Sequence, residues 1–147
     1  REFVKEATGQ EKPLYKTLEK LAGDGKAFCT GRENRKKLQI ETTFDGTRVH
    51  PEQTGSIANL STDNFTPAAF VYGTLEGMSR ELYQMYQTIQ NGTGMQIKYM
   101  IGSGNGLRKN PVLCEIVEEM FGAKLALAEC EEEAATGAAL SSMQQDE

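Results

Sequence analysis

The sequence predicts an α/β fold, because strand-like and helix-like segments alternate toward its carboxyl end. A strand-like segment at residues 96–101 precedes a helix-like segment that opens at residue 110. The same order then recurs over residues 124–128 and 132–143. Strands that alternate with helices in this way form a sheet covered by helices, joined by right-handed crossovers. The length of 147 residues, 38% of them hydrophobic, suffices for a single domain with its own core.

The first third of the chain predicts one helix and two short strands. Leu14, Leu18 and Leu21 recur at helical spacing, and the Gly-Asp-Gly sequence that follows is expected to end this short amphipathic helix. Residues 38–42 alternate apolar and polar side chains, as a half-buried strand does. A second short strand is expected around residues 56–60.

The middle of the chain predicts a long helix over residues 67–90. Thr66 is a suitable N-cap before Pro67, since proline favours the first helical position. Apolar residues then recur at spacings of three and four, and we expect the helix to bury them: Val71, Leu75, Met78, Leu82, Met85 and Ile89. Gly73 and Gly77 each cost about 1 kcal/mol inside a helix. We therefore expect another backbone to pack closely against them.

Composition and charge exclude several functional classes. The net charge is −5, and the basic run at residues 32–37 has no interleaved aromatic residues, so a nucleic-acid partner is not expected. No apolar run approaches the roughly 18 residues of a membrane-spanning helix, and the first residues do not resemble a signal peptide. Three cysteines and one histidine lack the spacing of a zinc site. A cytoplasmic protein that does not bind membranes is expected.

A glycine-rich turn, Gly-Ser-Gly-Asn-Gly at residues 102–106, is the candidate ligand site. It follows the predicted strand 96–101 and precedes Asn110 and Pro111, an N-cap and first-position pair that opens a helix ending at Gly122. Glycines let a ligand approach the backbone, and the N–H groups of a helix amino terminus bind phosphate. A tight turn that needs a positive φ is the plainer alternative.

Two nucleotide-binding motifs can be compared with this turn. A P-loop is excluded, because no Gly-Lys-Ser/Thr sequence follows the turn. A Rossmann fingerprint fits better, since Gly102 and Gly104 supply its first two glycines and Glu129 follows the next strand, where a ribose-binding acid would stand. However, Leu107 occupies the third glycine position. A dinucleotide-binding domain stays open as an alternative, as does a non-catalytic interaction or regulatory domain.

Residues 71–140 resemble the carboxyl-terminal domain of the FGGY carbohydrate kinases, in particular sedoheptulokinase-like members. The family's Gly-X-Arg-X-X-Pro segment has a counterpart at residues 46–51. Three blocks carry the rest of the resemblance in the family's order: residues 72–78 (Tyr-Gly-Thr-Leu-Glu-Gly-Met), residues 100–104 (Met-Ile-Gly-Ser-Gly) before Asn110-Pro111, and residues 132–140 (Glu-Glu-Ala-Ala-Thr-Gly-Ala-Ala-Leu).

The resemblance implies a fold and an activity. The fold is that of an actin-like ATPase (ribonuclease H-like) domain, with helices packed on a mixed sheet. Residues 1–147 would form a single domain, the carboxyl-terminal part of a two-domain sugar kinase whose amino-terminal domain is its partner. The cofactors would be ATP and Mg, and the reaction would transfer the γ-phosphoryl group to a sugar hydroxyl, with a ketose such as sedoheptulose favoured.

The resemblance also implies which residues hold the nucleotide. Gly102, Ser103 and Gly104 would approach the α-phosphate and ribose, with Asn105 beside them and Asn110 near the adenine. The family's aspartate base and its phosphate-gripping hairpins lie upstream of the matched blocks. No catalytic residue and no metal ligand is therefore expected within these 147 residues, and the chain alone is expected to be inactive.

Overall fold

The computed structural model describes residues 14–30, 37–129 and 133–143, together with residues 5, 6 and 9. The chain divides into two compact units, Arg1–Glu81 and Leu82–Glu147. The described elements, in chain order, are α1 (Tyr15–Thr30), β1 (Gln39–Glu41), β2 (Ser56–Ala58), α2 (Pro67–Thr93), β3 (Tyr99–Gly102), α3 (Asn105–Arg108), α4 (Pro111–Phe121), β4 (Lys124–Leu127) and α5 (Glu133–Met143).

The first unit packs helices against an antiparallel pair of strands. β1 pairs with β2, and Ile40 lies opposite Ile57. The side chains of Leu38 and Ile40 are buried against Ala69 of α2, with Phe70 packed beside them. Both strands occur where they were predicted, although β1 is one residue shorter at each end and β2 is two residues shorter at its carboxyl end.

The predicted end of the first helix is wrong. α1 continues through Gly23 and Gly25 to Thr30. Gly25 is buried, and a Cβ atom there would overlap the carbonyl oxygen of Ala68 and the Cβ of Tyr72 in α2. Glycine thus allows the two helices to approach closely, and this contact offsets the cost of about 1 kcal/mol that glycine carries inside a helix.

The expectation of close backbone packing at Gly73 and Gly77 is confirmed. A Cβ atom at Gly73 would lie 3.3 Å from Cδ1 of Ile40 and 3.4 Å from the carbonyl oxygen of Leu38. A Cβ atom at Gly77 would overlap the carbonyl oxygen of Ile40 and lie 3.1 Å from Cγ2 of Thr42. β1 therefore lies against the glycine face of α2.

The same packing overturns the prediction that α2 buries its apolar stripe. The buried residues of α2 are Ala69, Tyr72, Gly73, Gly77 and Ser79. Val71 and Leu75 are half-buried, whereas the four remaining residues of the stripe are between 49% and 58% exposed: Met78, Leu82, Met85 and Ile89. Small side chains admit a neighbouring backbone, so the small-residue face rather than the large apolar one packs against β1.

The second unit contains a parallel strand pair with helical connections. β3 and β4 pair in parallel, with Tyr99 opposite Lys124 and Gly102 opposite Leu127. β3 begins three residues later than predicted. The intervening α4 buries Ile116 and Val117. The ring of Phe121 lies 5.1 Å from that of Tyr83 and 5.5 Å from that of Tyr86, both on α2.

The α/β prediction is confirmed, although the mixed sheet takes the form of two small sheets within the described residues. One is antiparallel and the other parallel. α5 begins at Glu133, close to its predicted start. Most of the basic run at residues 32–37 lies outside the described residues. No described helix is both long enough and apolar enough to cross a membrane.

Candidate functional site

Gly102 ends β3 and is a packing residue. Its carbonyl oxygen accepts a hydrogen bond from the N–H of Ala128 at 2.8 Å, which extends the pairing with β4. A Cβ atom at Gly102 would lie 2.7 Å from Cδ1 of Leu107 and 3.1 Å from Cδ1 of Leu125. The missing side chain therefore lets α3 and β4 close over the end of the strand.

Gly104 makes the turn that follows. Its φ of +90° is a conformation that L side chains rarely adopt. A Cβ atom there would meet nothing within 4 Å, so the space beside the turn is open. The carbonyl oxygen of Gly104 accepts a hydrogen bond from the N–H of Arg108 at 3.2 Å. Gly104 thus turns the chain from β3 into α3. The open space beside it would let a ligand approach the backbone.

The sequence did not predict α3, the short helix that fills the space between Gly104 and Asn110. Its first residue, Asn105, is exposed, and Ser103 before it is exposed as well. No side chain caps the helix. A single turn that begins after a glycine and contains another at Gly106 carries neither a capping signal nor an apolar period, and therefore resembles a loop in the sequence.

Asn110 opens α4 as predicted. Its Oδ1 accepts a hydrogen bond from the N–H of Leu113 at 3.1 Å, and Pro111 occupies the first helical position. At the other end of α4, Gly122 adopts the left-handed conformation with a φ of +61°. The cap bond holds the Asn110 side chain in place and uses only its oxygen, so the Nδ2 donors are left for another partner.

Cys114 ties the two helices of this segment together. Its Sγ donates a hydrogen bond to the carbonyl oxygen of Leu107 at 3.3 Å. Burial is the main cause that raises the pKa of the Cys114 thiol, and the nearby carboxylate of Glu118 adds to it. The thiol therefore stays protonated at neutral pH and is a structural group rather than a nucleophile.

The five residues predicted for the site lie in one segment between the end of β3 and the start of α4. Gly102 is buried, Gly104 and Asn110 are half-buried, and Ser103 and Asn105 are exposed. The cation Lys109, to which the sequence assigned no role, is exposed directly before Asn110. This segment combines an open glycine turn, an exposed hydroxyl, an exposed cation and a capped helix amino terminus, which together suit a phosphate-bearing ligand.

The Gly-X-Arg-X-X-Pro segment forms a compact turn in the first unit. Gly46 has a φ of +72°. The N–H of Thr47 donates to the carbonyl oxygen of His50 at 2.9 Å, and the N–H of His50 donates to Oγ1 of Thr47 at 2.9 Å. The His50 ring lies 3.3 Å from a carboxylate oxygen of Glu52, and both side chains are exposed. These hydrogen bonds stabilise the backbone of the turn. The turn does not pair His50 with a catalytic nucleophile.

The described residues contain no group of three or more histidine, cysteine, aspartate or glutamate side chains that could hold a metal ion. The candidate segment itself has no carboxylate between residues 102 and 114. A divalent cation at this segment would therefore have no carboxylate ligand from residues 102–114, and the oxygens of a bound phosphate would supply that charge instead.

Two comparisons relate the chain to known proteins. Residues 19–144 match the family model described as FGGY family of carbohydrate kinases, C-terminal domain. The structure is similar to that of xylulose kinase from Bifidobacterium adolescentis, with a TM-score of 0.66 and 18% sequence identity over 88% of this chain and 24% of that chain. The chain thus spans about a quarter of the length of that kinase, with which it shares a fold. No curated protein matches the sequence significantly.

Proposed function

Because this chain belongs to the FGGY family of carbohydrate kinases and has the actin-like ATPase fold of its C-terminal domain, we propose that it is the nucleotide-binding part of an ATP-dependent sugar kinase. The family match over residues 19–144 is the observation that carries this proposal. The intact protein would transfer the γ-phosphoryl group of ATP to a sugar hydroxyl. An amino-terminal domain would supply the catalytic base, because the family's aspartate base lies upstream of the blocks that match this chain.

The nucleotide site is proposed at Gly102, Ser103, Gly104, Asn105 and Asn110. The open space beside Gly104 supports it, because a ligand can reach the backbone there without displacing a side chain. Ser103 and Asn105, the residues before and after Gly104, are both exposed, and their hydroxyl and amide groups can hydrogen-bond the ribose or the α-phosphate. Bound ATP would supply the phosphoryl group and, through its phosphates, the ligands for Mg.

Asn110 is proposed to orient the adenine. Its Oδ1 is held by the Leu113 N–H at 3.1 Å, so the side chain is fixed before a nucleotide arrives. The Nδ2 group would then donate a hydrogen bond to a ring nitrogen of the adenine without a further loss of side-chain entropy. Lys109, exposed beside it, adds a positive charge that attracts the phosphates from solution.

A ketose is the proposed substrate, with sedoheptulose favoured. The resemblance of residues 72–78, 100–104 and 132–140 to sedoheptulokinase-like members supports this choice, and the fold likeness to a xylulose kinase agrees with a ketose in general. The reaction would take place in the cytoplasm, where ATP is available.

Calorimetric titration of the chain with ATP, ADP and NAD tests the nucleotide part of the proposal. We expect the adenine mononucleotides to bind more tightly than NAD, because Leu107 packs over Gly102 in the space that a third Rossmann glycine would leave open. Tighter binding of NAD, with chemical-shift changes at Glu129, would favour the dinucleotide-binding alternative. No binding of any of the three would contradict the proposed site.

A further inference from the structure

The sequence contains two asparagine–glycine pairs, Asn91-Gly92 and Asn105-Gly106. An asparagine amide is lost most readily when glycine follows, because glycine has no Cβ atom to shield its backbone nitrogen. That nitrogen can attack Cγ of the asparagine and displace the side-chain nitrogen as ammonia. Both pairs are exposed to solvent. The backbone structure around each pair therefore decides which of them reacts faster.

The first pair, Asn91-Gly92, lies in the last turn of the 27-residue helix α2, which ends at Thr93. In an α-helix the N–H of Gly92 donates to the carbonyl oxygen four residues before it, and the helical backbone holds the nitrogen away from Cγ of Asn91. Oγ1 of Thr93 also donates to the carbonyl oxygen of Ile89 at 2.8 Å, which adds a side-chain bond to the end of the helix. Attack by the Gly92 nitrogen is therefore disfavoured.

The second pair, Asn105-Gly106, lies in α3, a helix of four residues. Gly106 occupies its second position, where an N–H has no partner within the helix, and it makes no hydrogen bond to any other described residue. The backbone bonds donated by Arg108 and Lys109, which close the turn, are 3.2 and 3.1 Å long, and no side chain caps it. A helix this short is marginal in water. Opening α3 therefore costs little and lets the Gly106 nitrogen rotate toward Cγ of Asn105.

The surroundings of Gly106 also permit the reaction. A Cβ atom there would meet nothing within 4 Å, so no neighbouring group blocks the approach of the nitrogen or the ring that it forms. The side chain of Asn105 makes no hydrogen bond to the part of the chain that the structure describes, so its rotation toward Gly106 breaks none. The second pair thus combines a weakly held backbone with open space.

We propose that Asn105 is a site of spontaneous deamidation and that the carboxylate formed there weakens nucleotide binding. The Gly106 nitrogen loses its proton to solvent and forms a bond to Cγ of Asn105. The bond between Cγ and Nδ2 then breaks, and Nδ2 takes up a proton and leaves as ammonia. Water opens the resulting succinimide at either carbonyl carbon, which gives aspartate or isoaspartate. Water is thus the one co-reactant, and no electrons are transferred to or from the protein.

The effect on the nucleotide rests on the proposed function, whereas the deamidation itself does not. Arg108 and Lys109 are the two charged residues between positions 102 and 114, so the formal charge of this segment falls from +2 to +1 when Asn105 becomes a carboxylate. The new charge lies directly after Gly104, where the phosphates of ATP are proposed to approach. Repulsion between like charges should therefore weaken ATP binding.

Mass spectrometry of the full-length gene product tests the modification. Cleavage after lysine and arginine places the two pairs in separate peptides, residues 81–98 and residues 99–108. During incubation at mildly alkaline pH, we expect Asn105 to deamidate at least about tenfold faster than Asn91, because α3 opens more readily than α2. A sample digested before the incubation corrects for deamidation during digestion. Equal rates at the two sites, or a faster reaction at Asn91, would overturn the proposal.

The variant Gly106→Ala identifies the attacking nitrogen. The added methyl group has room, because nothing lies within 4 Å of its position, and alanine favours a helix more than glycine does. We expect deamidation of Asn105 to slow several-fold in this variant, while Asn91 reacts as before. An unchanged rate at Asn105 would contradict attack by Gly106.

A separate measurement tests the effect on the nucleotide. We expect Asn105→Asp to weaken ATP binding by about threefold or more in calorimetry of the full-length protein. Asn91→Asp adds the same charge outside the candidate segment and should leave the affinity unchanged. Equal affinities in the two variants would overturn the proposed effect on the nucleotide. Faster deamidation of Asn105 than of Asn91 in a protein that binds no ATP would defeat the proposed function and leave the modification site standing.

Discussion

Gly104 is the residue on which the candidate site depends most. Its φ of +90° disfavours any β-branched side chain, and the space that such a side chain would enter is the space proposed for the nucleotide. We expect Gly104→Val to weaken ATP binding by at least about tenfold, which corresponds to about 1.4 kcal/mol, in a calorimetric titration.

A control is needed because Gly104→Val also strains the backbone. Gly94 has a φ of +68° and nothing within 4 Å of its Cβ position, but it lies at the end of α2, outside the candidate segment. Gly94→Val should therefore destabilise the fold to a similar extent and leave ATP affinity unchanged. Equal losses of affinity in the two variants would remove Gly104 from the site.

Asn110 caps α4 and is proposed to contact the adenine, and two variants distinguish these two roles. Asn110→Asp keeps an oxygen that accepts from the Leu113 N–H but loses the Nδ2 donors, so it should retain the stability of the fold and bind ATP less tightly. Asn110→Ala loses the cap as well and should cost about 1 kcal/mol of unfolding free energy. Urea denaturation and calorimetry on both variants measure the two effects. Full ATP affinity in Asn110→Asp would exclude the proposed contact with adenine.

The raised pKa of the Cys114 thiol leads us to expect that the stability of the fold depends on pH. Its thiol pKa is raised in the folded state, first by burial and then by Glu118, so the folded protein holds this proton more tightly than the unfolded chain does. The resulting stability is complete below the ordinary thiol pKa and is lost as pH rises toward the raised value. Cys114→Ala should reduce the fall in unfolding free energy at pH values above the ordinary thiol pKa, measured by urea denaturation at several pH values. An unchanged slope would contradict the prediction.

At the scale of elements, close packing decides the effect of glycine in α2. A side chain at Gly77 would collide with the carbonyl oxygen of Ile40, which is backbone and cannot move aside. We expect Gly77→Ala to destabilise the fold by about 1–3 kcal/mol, the usual cost of overpacking. Gly92 lies in the same helix with nothing within 4 Å, so Gly92→Ala should stabilise it by up to about 1 kcal/mol. Chemical denaturation of both variants checks the opposite signs.

The element scale also shows how far the sequence could predict this structure. The order of strands and helices and the caps at Thr66 and Asn110 were predictable, because capping side chains bond to backbone groups three residues away. The end of α1 and the buried face of α2 were predicted wrongly. Both depend on glycine contacts with distant backbone, at Ala68 and at Ile40, and no local pattern carries that information.

For the candidate site, too, some features could be predicted from the sequence and others could not. The conformational need for glycine at position 104 follows from a turn between a strand and a helix, so it could be predicted. The packing role of Gly102 could not, because it depends on Leu107 and on Leu125, which approach it only in the folded chain. The short α3 was also missed, since its residues carry neither a side-chain cap nor an apolar period.

For the whole molecule, phosphoryl transfer needs the sugar hydroxyl, a base and the γ-phosphate in line within one closed cleft. This chain matches a C-terminal domain, and the resemblance to that family implies that the catalytic base lies upstream of the matched residues. We therefore expect the 147-residue chain to bind ATP but to release no ADP in response to sedoheptulose, xylulose, ribulose or glycerol. Robust sugar-dependent turnover by the chain alone would show that it carries a complete catalytic site.

Sugar-dependent ADP release by the full-length gene product tests the central claim most directly. The protein should turn over ATP with a ketose, sedoheptulose first among the three ketoses, and the Gly104→Val variant should lose this activity at ATP concentrations that saturate the Gly94→Val control. Absence of turnover with all three ketoses would contradict the proposed substrate class, and absence of turnover with glycerol as well would contradict the proposed kinase activity. Turnover that is unchanged in Gly104→Val would place the nucleotide somewhere other than the turn between β3 and α3.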